Sequence, residues 1–386
     1  MHSLEHLDTH ICLVSAQQVV NLLPLLSEHT RPQEVILLVT PAMQGQAATL
    51  RRNLRHLGCE VYLQDIDSYD IQAIREVVFN LLLRFEKRAI GLNITGGTKI
   101  MALGAFEAFG SADNSCVFYV DTANQRIIHL LPEFRTEPLP DMLTVKAALK
   151  AYGLSLVSSQ ACSSPQSHRK LTEHLIRHVA YYAKALSILN YYAAKAGDQS
   201  VLQVGLEQRH LENPRFSDLI QRFSQAGCLE VERSEDLRFV NERQRRFVQG
   251  GWLEVHVAGL LKVLRDKRCV HDCLSNVQVS SRRGVENELD LAFTARNRLH
   301  LIECKTVRYQ PAMRYAKGDQ AAYKLDTLRD IMAGTFGRAM IVSYRELTRK
   351  DRQRCRDLGV AVVEAGELVN LSPRLEQWIT PLGEQS

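Results

Sequence analysis

The sequence predicts an α/β protein with two separate sheets, and three observations carry that prediction. Apolar segments alternate with helical patterns from His10 to Asp121, and a charged hairpin with an apolar return strand lies near residue 300. Apolar residues make up 45% of the 386 positions, enough for real cores in the two or three domains that this length suggests. The net charge of only +5 argues against a global basic field.

The first region contains five apolar segments: His10–Ser15, Glu34–Thr40, Cys59–Ile66, Ala89–Thr95 and Ser115–Asp121. Separated by helical stretches, they build a parallel, Rossmann-like sheet with crossover helices. The fourth runs into Asn93-Ile94-Thr95-Gly96-Gly97-Thr98-Lys99, and Ile100, Met101, Leu103, Phe106 and Phe109 continue as an apolar helix face. Paired glycines let a ligand approach the backbone, a helix start favours anions, and Lys99 adds positive charge. Pockets in such sheets open at the carboxyl ends of strands. Strand one ends in Val14-Ser15-Ala16-Gln17-Gln18, so its loop and the Gly-Gly loop are expected to line one crevice. A bare Gly-Gly turn needs no ligand, but Asn93, Thr95, Thr98 and Lys99 supply polar groups beyond what a turn requires. The pattern is neither a Walker A loop nor a GxGxxG fingerprint, so ATPase and NAD-dependent readings lose support.

A connecting region follows. Thr136-Glu137-Pro138-Leu139-Pro140 closes the first unit, and residues 158–165 read as a loop. Helical patterns at Leu171–Ala196 and Ser217–Ala226 precede a hairpin, Leu229–Arg233 with Leu237–Val240. These pieces form either a winged-helix-like module or a spacer that transmits movement.

Gly250-Gly251-Trp252-Leu253-Glu254 then opens a helix with apolar Val255, Val257, Leu260, Leu261, Val263 and Leu264, which puts Glu254 in its first turn. Val285, Leu289, Leu291 and Phe293 alternate as a strand, Ala295 to Arg298 turn, and Leu299 to Lys305 return. Period two sets Glu288 with Asp290 on one face and Glu303 with Lys305 on one face, each pair about 7 Å apart along its strand. A hairpin brings the pairs together. Such oxygen ligands suit Mg²⁺ or Mn²⁺, and a cation there can polarise a phosphoryl oxygen and acidify a bound water. Lys305 would orient that water or neutralise developing charge. A surface hairpin with scattered charge is the plain alternative. Against it, Leu299, Leu301, Ile302 and Cys304 make the return strand apolar enough that a lone Glu and Lys must be paired or metal-bound.

Downstream, Asp319 to Leu325 begins a helix on which Lys324 is a further candidate for phosphate binding or the active centre, with Gln320 as a lesser one. Arg338–Ser343 reads as a strand that extends the sheet. Arginines at 243, 245 and 246, at 282 and 283, and from Arg349 to Arg356 are candidate phosphate contacts, or solvated helix faces. Nine cysteines in mostly apolar settings suit buried thiols in a reducing cytoplasm. Cys269 and Cys273 flank His271 but lack a second ligand pair for zinc. No apolar run reaches membrane-spanning length, and the start lacks a leader pattern.

The order Asp290, turn, Glu303-Cys304-Lys305 resembles the PD-(D/E)xK nuclease superfamily, a restriction-endonuclease-like fold. In such folds a preceding helix often presents a carboxylate to the metal, which gives Glu254 a metal-binding reading beside ordinary stabilisation of its helix N-terminus. The Asn93 to Lys99 segment resembles CARF domains, which sense cyclic oligoadenylates. Together with Gly251 to Glu254, these motifs make the whole chain similar to the CARF-domain accessory nucleases of type III CRISPR antiviral systems, the DUF1887 group. The resemblance implies a CARF domain over residues 1–145, a connecting region over 146–240 and a nuclease domain over 241–386. It implies a cytoplasmic homodimer that binds cyclic tetra-adenylate across paired CARF domains and then cuts DNA and/or RNA. Asp290, Glu303 and Lys305 would be catalytic, Glu288 and Glu254 close to the metal, and Cys304 counted with Asp290, Glu303 and Glu254 among its ligands. Ser15, Ala16, Gln17, Gln18, Thr40 and the stretch Asn93, Thr95, Gly96, Gly97, Thr98 and Lys99 would face the activator. The acidic residue usual after the first-strand serine is replaced here by Gln17-Gln18. A messenger-independent DNA repair or restriction-type nuclease is the alternative.

Overall fold

In the first sheet, β1 (Thr9–Leu13), β2 (Glu34–Val39), β3 (Glu60–Asp65), β4 (Ile90–Asn93), β5 (Ser115–Asp121), β6 (Arg126–Leu131) and β7 (Arg135–Pro138) run in the order β3-β2-β1-β4-β5-β6-β7. This is a computed structural model, and it describes residues 4–110, 112, 114–163, 165–232, 236–281, 284–306 and 337–380. Strands β1 to β5 are parallel and β5-β6-β7 antiparallel. Helices cover both faces, which is why β1 and β2 read as unbroken apolar runs rather than as alternation. Strand order reverses between β1 and β4, where the sequence places its crevice.

After the helix Val145–Ala151 comes β8 (Leu154–Ala161), within the stretch whose later half reads from sequence as a loop. Most of it is polar and exposed because it is an edge strand, with Leu154 and Leu156 as its inward-facing residues. The single helical pattern of Leu171–Ala196 is two helices, Gln166–Arg177 and Val179–Asp198, broken at His178 (φ −116°, ψ 33°). Then come β9 (Gln203–Gly205), the helix Pro214–Gln225, β10 (Leu229–Val231) and β11 (Asp236–Phe239), whose strands form a small sheet in the order β10-β11-β9.

The helix Trp252–Asp266 leads into β12 (Asp272–Ser281), β13 (Glu286–Ala295), β14 (Arg298–Lys305), β15 (Gly337–Ser343) and β16 (Ala361–Glu364). With β8 they form the second sheet, β16-β15-β14-β13-β12-β8. Its two faces bury different cores. Leu291, Phe293, Ile302 and Met340 pack with the helices of the middle region, whereas Ala292, Leu299, Leu301 and Ile341 pack in a cluster that includes first-region residues such as Leu50 and Leu149. The first region and the second sheet therefore share one apolar core.

Candidate active site and ligand crevice

The hairpin forms as expected, with Arg296 and Asn297 as its two turn residues (φ 53° and 54°). Positive φ at both central positions is the turn geometry that matches strand twist. The last ladder pair is Leu291↔Ile302, so Asp290 and Glu303 stand opposite each other one residue further on. Period two puts Glu303 on the face of Leu301, and Asp290 lies where β13 changes face, between Leu289 and Leu291 of opposite cores. Both carboxylates are 7% exposed, and Asp290 Oδ2 accepts the Cys304 amide at 2.7 Å. Lys305 shares the Glu303 face at the half-buried strand end.

Two predicted members are placed differently. Strict alternation would set Glu288 beside Asp290, but Leu289 packs in the same cluster as Ala292 and Glu288 projects into solvent. The paired strand β12 is irregular nearby, with Asn276 at φ 48°. The Cys304 side chain packs on the opposite face, against the helical core, so only its main chain is available to the acidic face. Lys324 and Gln320 lie outside the described residues.

Glu254 is half-buried in the first turn of its helix. That turn is seated on the active strand through Gly250 (φ 155°), where an added Cβ would come 2.5 Å from Thr306 Oγ1, just beyond Lys305. Trp252, fully buried, stacks edge-on against Tyr344 at 5.0 Å, and Tyr344 donates its amide to the Lys305 carbonyl at 2.7 Å. Among the described residues no three His, Cys, Asp or Glu side chains converge into a ready-made metal set. What is present is a two-carboxylate seat with main-chain oxygen nearby. That donor chemistry fits Mg²⁺ or Mn²⁺, hard ions that commonly bind through one or two carboxylates and retain water.

At the other site, the loops after β1 and β4 touch. An added Cβ at Gly96 would stand 2.2 Å from the Leu13 carbonyl and 3.2 Å from Ser15 Oγ, so only glycine permits the approach. Asn93, 1% exposed, donates to the Val20 carbonyl (3.0 Å) and to Asn21 Oδ1 (3.1 Å), while its Oδ1 accepts the Thr95 amide and hydroxyl. Asn21 in turn donates to Leu13 O at 2.9 Å. Thr95 Oγ1 accepts the Val120 amide, and Thr98 caps the next helix while donating to Ser68 O. These three side chains brace the crevice, with Asn93 buried and Thr95 and Thr98 half-buried. Exposed at its rim are Ala16, Gly97 and Lys99, with Ser15 and Gln17 half-buried. Gln18 is 5% exposed with an unpartnered Oε1, and Thr40 is buried at the end of β2.

Two family models match the chain, the Card1 CARF domain over residues 9–148 and the Card1-like endonuclease domain over residues 241–381. The chain belongs to the CARF-domain endonucleases. The CARF domain thus holds the crevice, and the endonuclease domain holds the hairpin. The chain is similar over nearly its full length to two solved structures. One is protein VC1899 from Vibrio cholerae, at 28% identity and a TM-score of 0.85, with 96% of this chain and 97% of that one covered. The other is Can2 from Sulfobacillus thermosulfidooxidans in complex with cyclic tetra-adenylate, at 28% identity and a TM-score of 0.79, with 97% and 98% covered. A type III CRISPR defence DNA nuclease activated by cyclic oligoadenylate shares the fold at 17% identity and a TM-score of 0.55, with 87% of this chain and 45% of that one covered. Comparison with curated proteins gives no match.

A contact that sequence reasoning missed joins the two domains. Asn297, fully buried in the hairpin turn, accepts the amides of Met142 (3.0 Å) and Leu143 (3.2 Å) and donates to Pro140 O (2.8 Å) and Gln125 Oε1 (3.1 Å). The Asp141 carboxylate accepts the amides of Arg296 (2.7 Å) and Asn297 (2.8 Å), and Gln125 donates to Arg296 O (2.8 Å). A clasp from the CARF domain therefore grips the far end of the hairpin that carries Asp290 and Glu303. Its one sequence signal is an Asn in a two-residue turn, which local turn chemistry already explains.

The arginine clusters divide. Arg245 is 6% exposed, pairs with Glu242 at 2.7 Å and donates to Ala193 O, so it is structural rather than a phosphate contact. Arg352 pairs with Glu364. Arg243 and Arg246 remain exposed. No helix among the described residues is long and apolar enough to cross a membrane.

Proposed function

We propose that this endonuclease is a homodimer that binds cyclic tetra-adenylate in the crevices of paired CARF domains and, once bound, cuts DNA and/or RNA in type III CRISPR antiviral defence. The observation that carries this reading is the Asn297 clasp, which ties the ligand-sensing domain to the hairpin bearing two buried carboxylates. The full-length similarity to a structure solved with cyclic tetra-adenylate supports the ligand.

The crevice lies at the reversal of strand order, with Lys99 and the Gly97 main chain at its rim to meet phosphates. Asn93, Thr95 and Thr98 hold that main chain in place. A two-fold partner is supported by apolar side chains left exposed on the helices Ile71–Arg84 and Lys99–Phe109: Phe79 (52%), Leu83 (56%) and Leu103 (59%). A symmetric ring suits a two-fold dimer because each half meets the same loop. Within the connecting region, residues 146–240, β8 joins the endonuclease sheet, and the helices and small sheet from Gln166 to Phe239 serve as the winged-helix-like module between residues 1–145 and 241–386.

In the endonuclease domain, Asp290 and Glu303 would hold Mg²⁺ or Mn²⁺, with Glu254 as a further carboxylate and Cys304 contributing only main-chain oxygen. Bound there, the ion supplies Lewis acidity toward a phosphodiester. Lys305 positions the attacking water and balances charge on the phosphoryl oxygens. Glu303 orients that water and takes its proton. The unbridged thiols, including neighbouring Cys162 and Cys273, suit a reducing cytoplasm.

Incubating the protein with Mn²⁺ and plasmid, single-stranded DNA or RNA, with and without cyclic tetra-adenylate, tests the proposal. Cleavage of at least one substrate should appear only with the ring. Cutting at full rate without it would instead favour a messenger-independent nuclease.

A further inference from the structure

We infer a second anion site in the endonuclease domain, a phosphate-binding pocket formed by Arg298, Arg338 and Arg374 on the reverse of the catalytic sheet. A cavity of about 620 Å³ opens there, lined by these arginines together with Gln377, Trp378 and Val362. It lies at the starting ends of β14 and β15, roughly 20 Å along β14 from Lys305. Register pairs His300 with Arg338, and Arg298 shares the His300 face of its strand. That is the face of Ile302 and Met340, opposite Glu303. The pocket is therefore separate from the cutting site.

Its charge is one-sided. Among the described residues no carboxylate pairs with Arg298 or Arg338. Burial, and then the neighbouring Arg298, hold Arg338 below the usual arginine range. The adjoining His300 is pushed down to about 3 by burial, then by Arg338 and Arg298. Arg374 meets Glu367 at 3.0 Å, but both side chains are nearly half exposed. Setting Arg298 beside Arg338 with no paired carboxylate among the described residues raises the energy of the empty pocket, and a bound anion removes that penalty. A structural role accounts for part of Arg338, which donates to the Trp378 carbonyl and lies 5.3 Å over its ring. It does not account for Arg298. Guanidinium forks match phosphate oxygens bidentately, and the cavity is larger than one phosphate needs. A free nucleotide and a nucleic-acid backbone share that chemistry.

The test needs neither cleavage nor the cyclic activator, so its failure is distinct from failure of the proposed function. Tryptophan emission of the full chain is followed in EDTA while inorganic phosphate, 5′-AMP or a single-stranded oligonucleotide is added. Trp378 borders the pocket, and the other tryptophan, Trp252, is fully buried elsewhere. The wild type should respond saturably to phosphate, and Arg298→Gln should bind it about tenfold more weakly. Arg374→Gln, at a more exposed position, gives the same test should Arg298→Gln misfold. A parallel loss of oligonucleotide affinity identifies the ligand as a strand backbone, and a loss confined to phosphate and 5′-AMP identifies a free nucleotide. No saturable response in the wild type, or one unchanged in both variants, overturns the inference.

Discussion

Glu303 ends the buried run of its strand, Leu299 to Glu303, and is itself 7% exposed. A carboxylate held so far from water destabilises the fold unless it is matched by a cation or hydrogen bonds, so its placement points to chemistry rather than solubility. Glu303→Gln keeps the shape and removes the charge. Cleavage should fall roughly a thousandfold or more while binding of cyclic tetra-adenylate and the unfolding temperature stay close to wild type. Residual cutting within a few-fold of wild type would remove Glu303 from the catalytic set. A second residue-scale effect comes from His10 and His300, each 1% exposed with an unpartnered Nε2 and each pushed down to about 3 by burial. Because the folded pKa lies below the unfolded one, the unfolded chain takes up protons that the folded chain refuses between about pH 6.5 and 3. Stability is thus fully present above about pH 6.5 and falls as the pH drops, by about 1.4 kcal/mol per pH unit for each histidine. Urea titrations from pH 7 to 5 should show this slope, and His300→Phe should flatten it by one histidine's share.

At the scale of elements, the clasp and the crevice braces explain which parts of the chain could be read in advance. The hairpin was legible because its strands and turn are local, so the strands that carry Asp290, Glu303 and Lys305 follow from a dozen neighbouring residues. Strand β8 was hidden because an edge strand with one exposed face carries polar residues that imitate a loop. The bracing role of Asn93 was hidden because Asn21, which it engages, is 72 residues away. The clasp was invisible for the same reason, since 155 residues separate Asp141 from Arg296. Asn297→Ala would strand the buried amides of Met142 and Leu143, and should destabilise the protein by about 2–4 kcal/mol. If the clasp carries the signal, the same variant should bind the ring normally yet lose most of the ring-dependent rise in cleavage. A Gly96→Ala chain meets the Leu13 carbonyl and should lose about 1–3 kcal/mol together with ring affinity, both measurable by thermal shift with and without ligand.

For the whole molecule, one apolar core runs from the CARF helices through Leu149 to Leu301 and Ile341 of the endonuclease sheet. Movement in the first domain therefore meets packed side chains and hydrogen bonds rather than a loose linker, and a ligand shifts the balance only by binding the active arrangement more tightly. The exposed Phe79, Leu83 and Leu103 are the surface on which the two-fold partner is expected to close. Leu103→Glu should yield a monomer by light scattering, with an intact fold by circular dichroism and little response to the ring. Control of the Asp290 and Glu303 site by the CARF crevice is tested most directly by cleavage rate against cyclic tetra-adenylate concentration at fixed Mn²⁺. A rate near zero without the ring, rising to a plateau at about one ring per two chains, is the predicted result. A rate independent of ring concentration would contradict it.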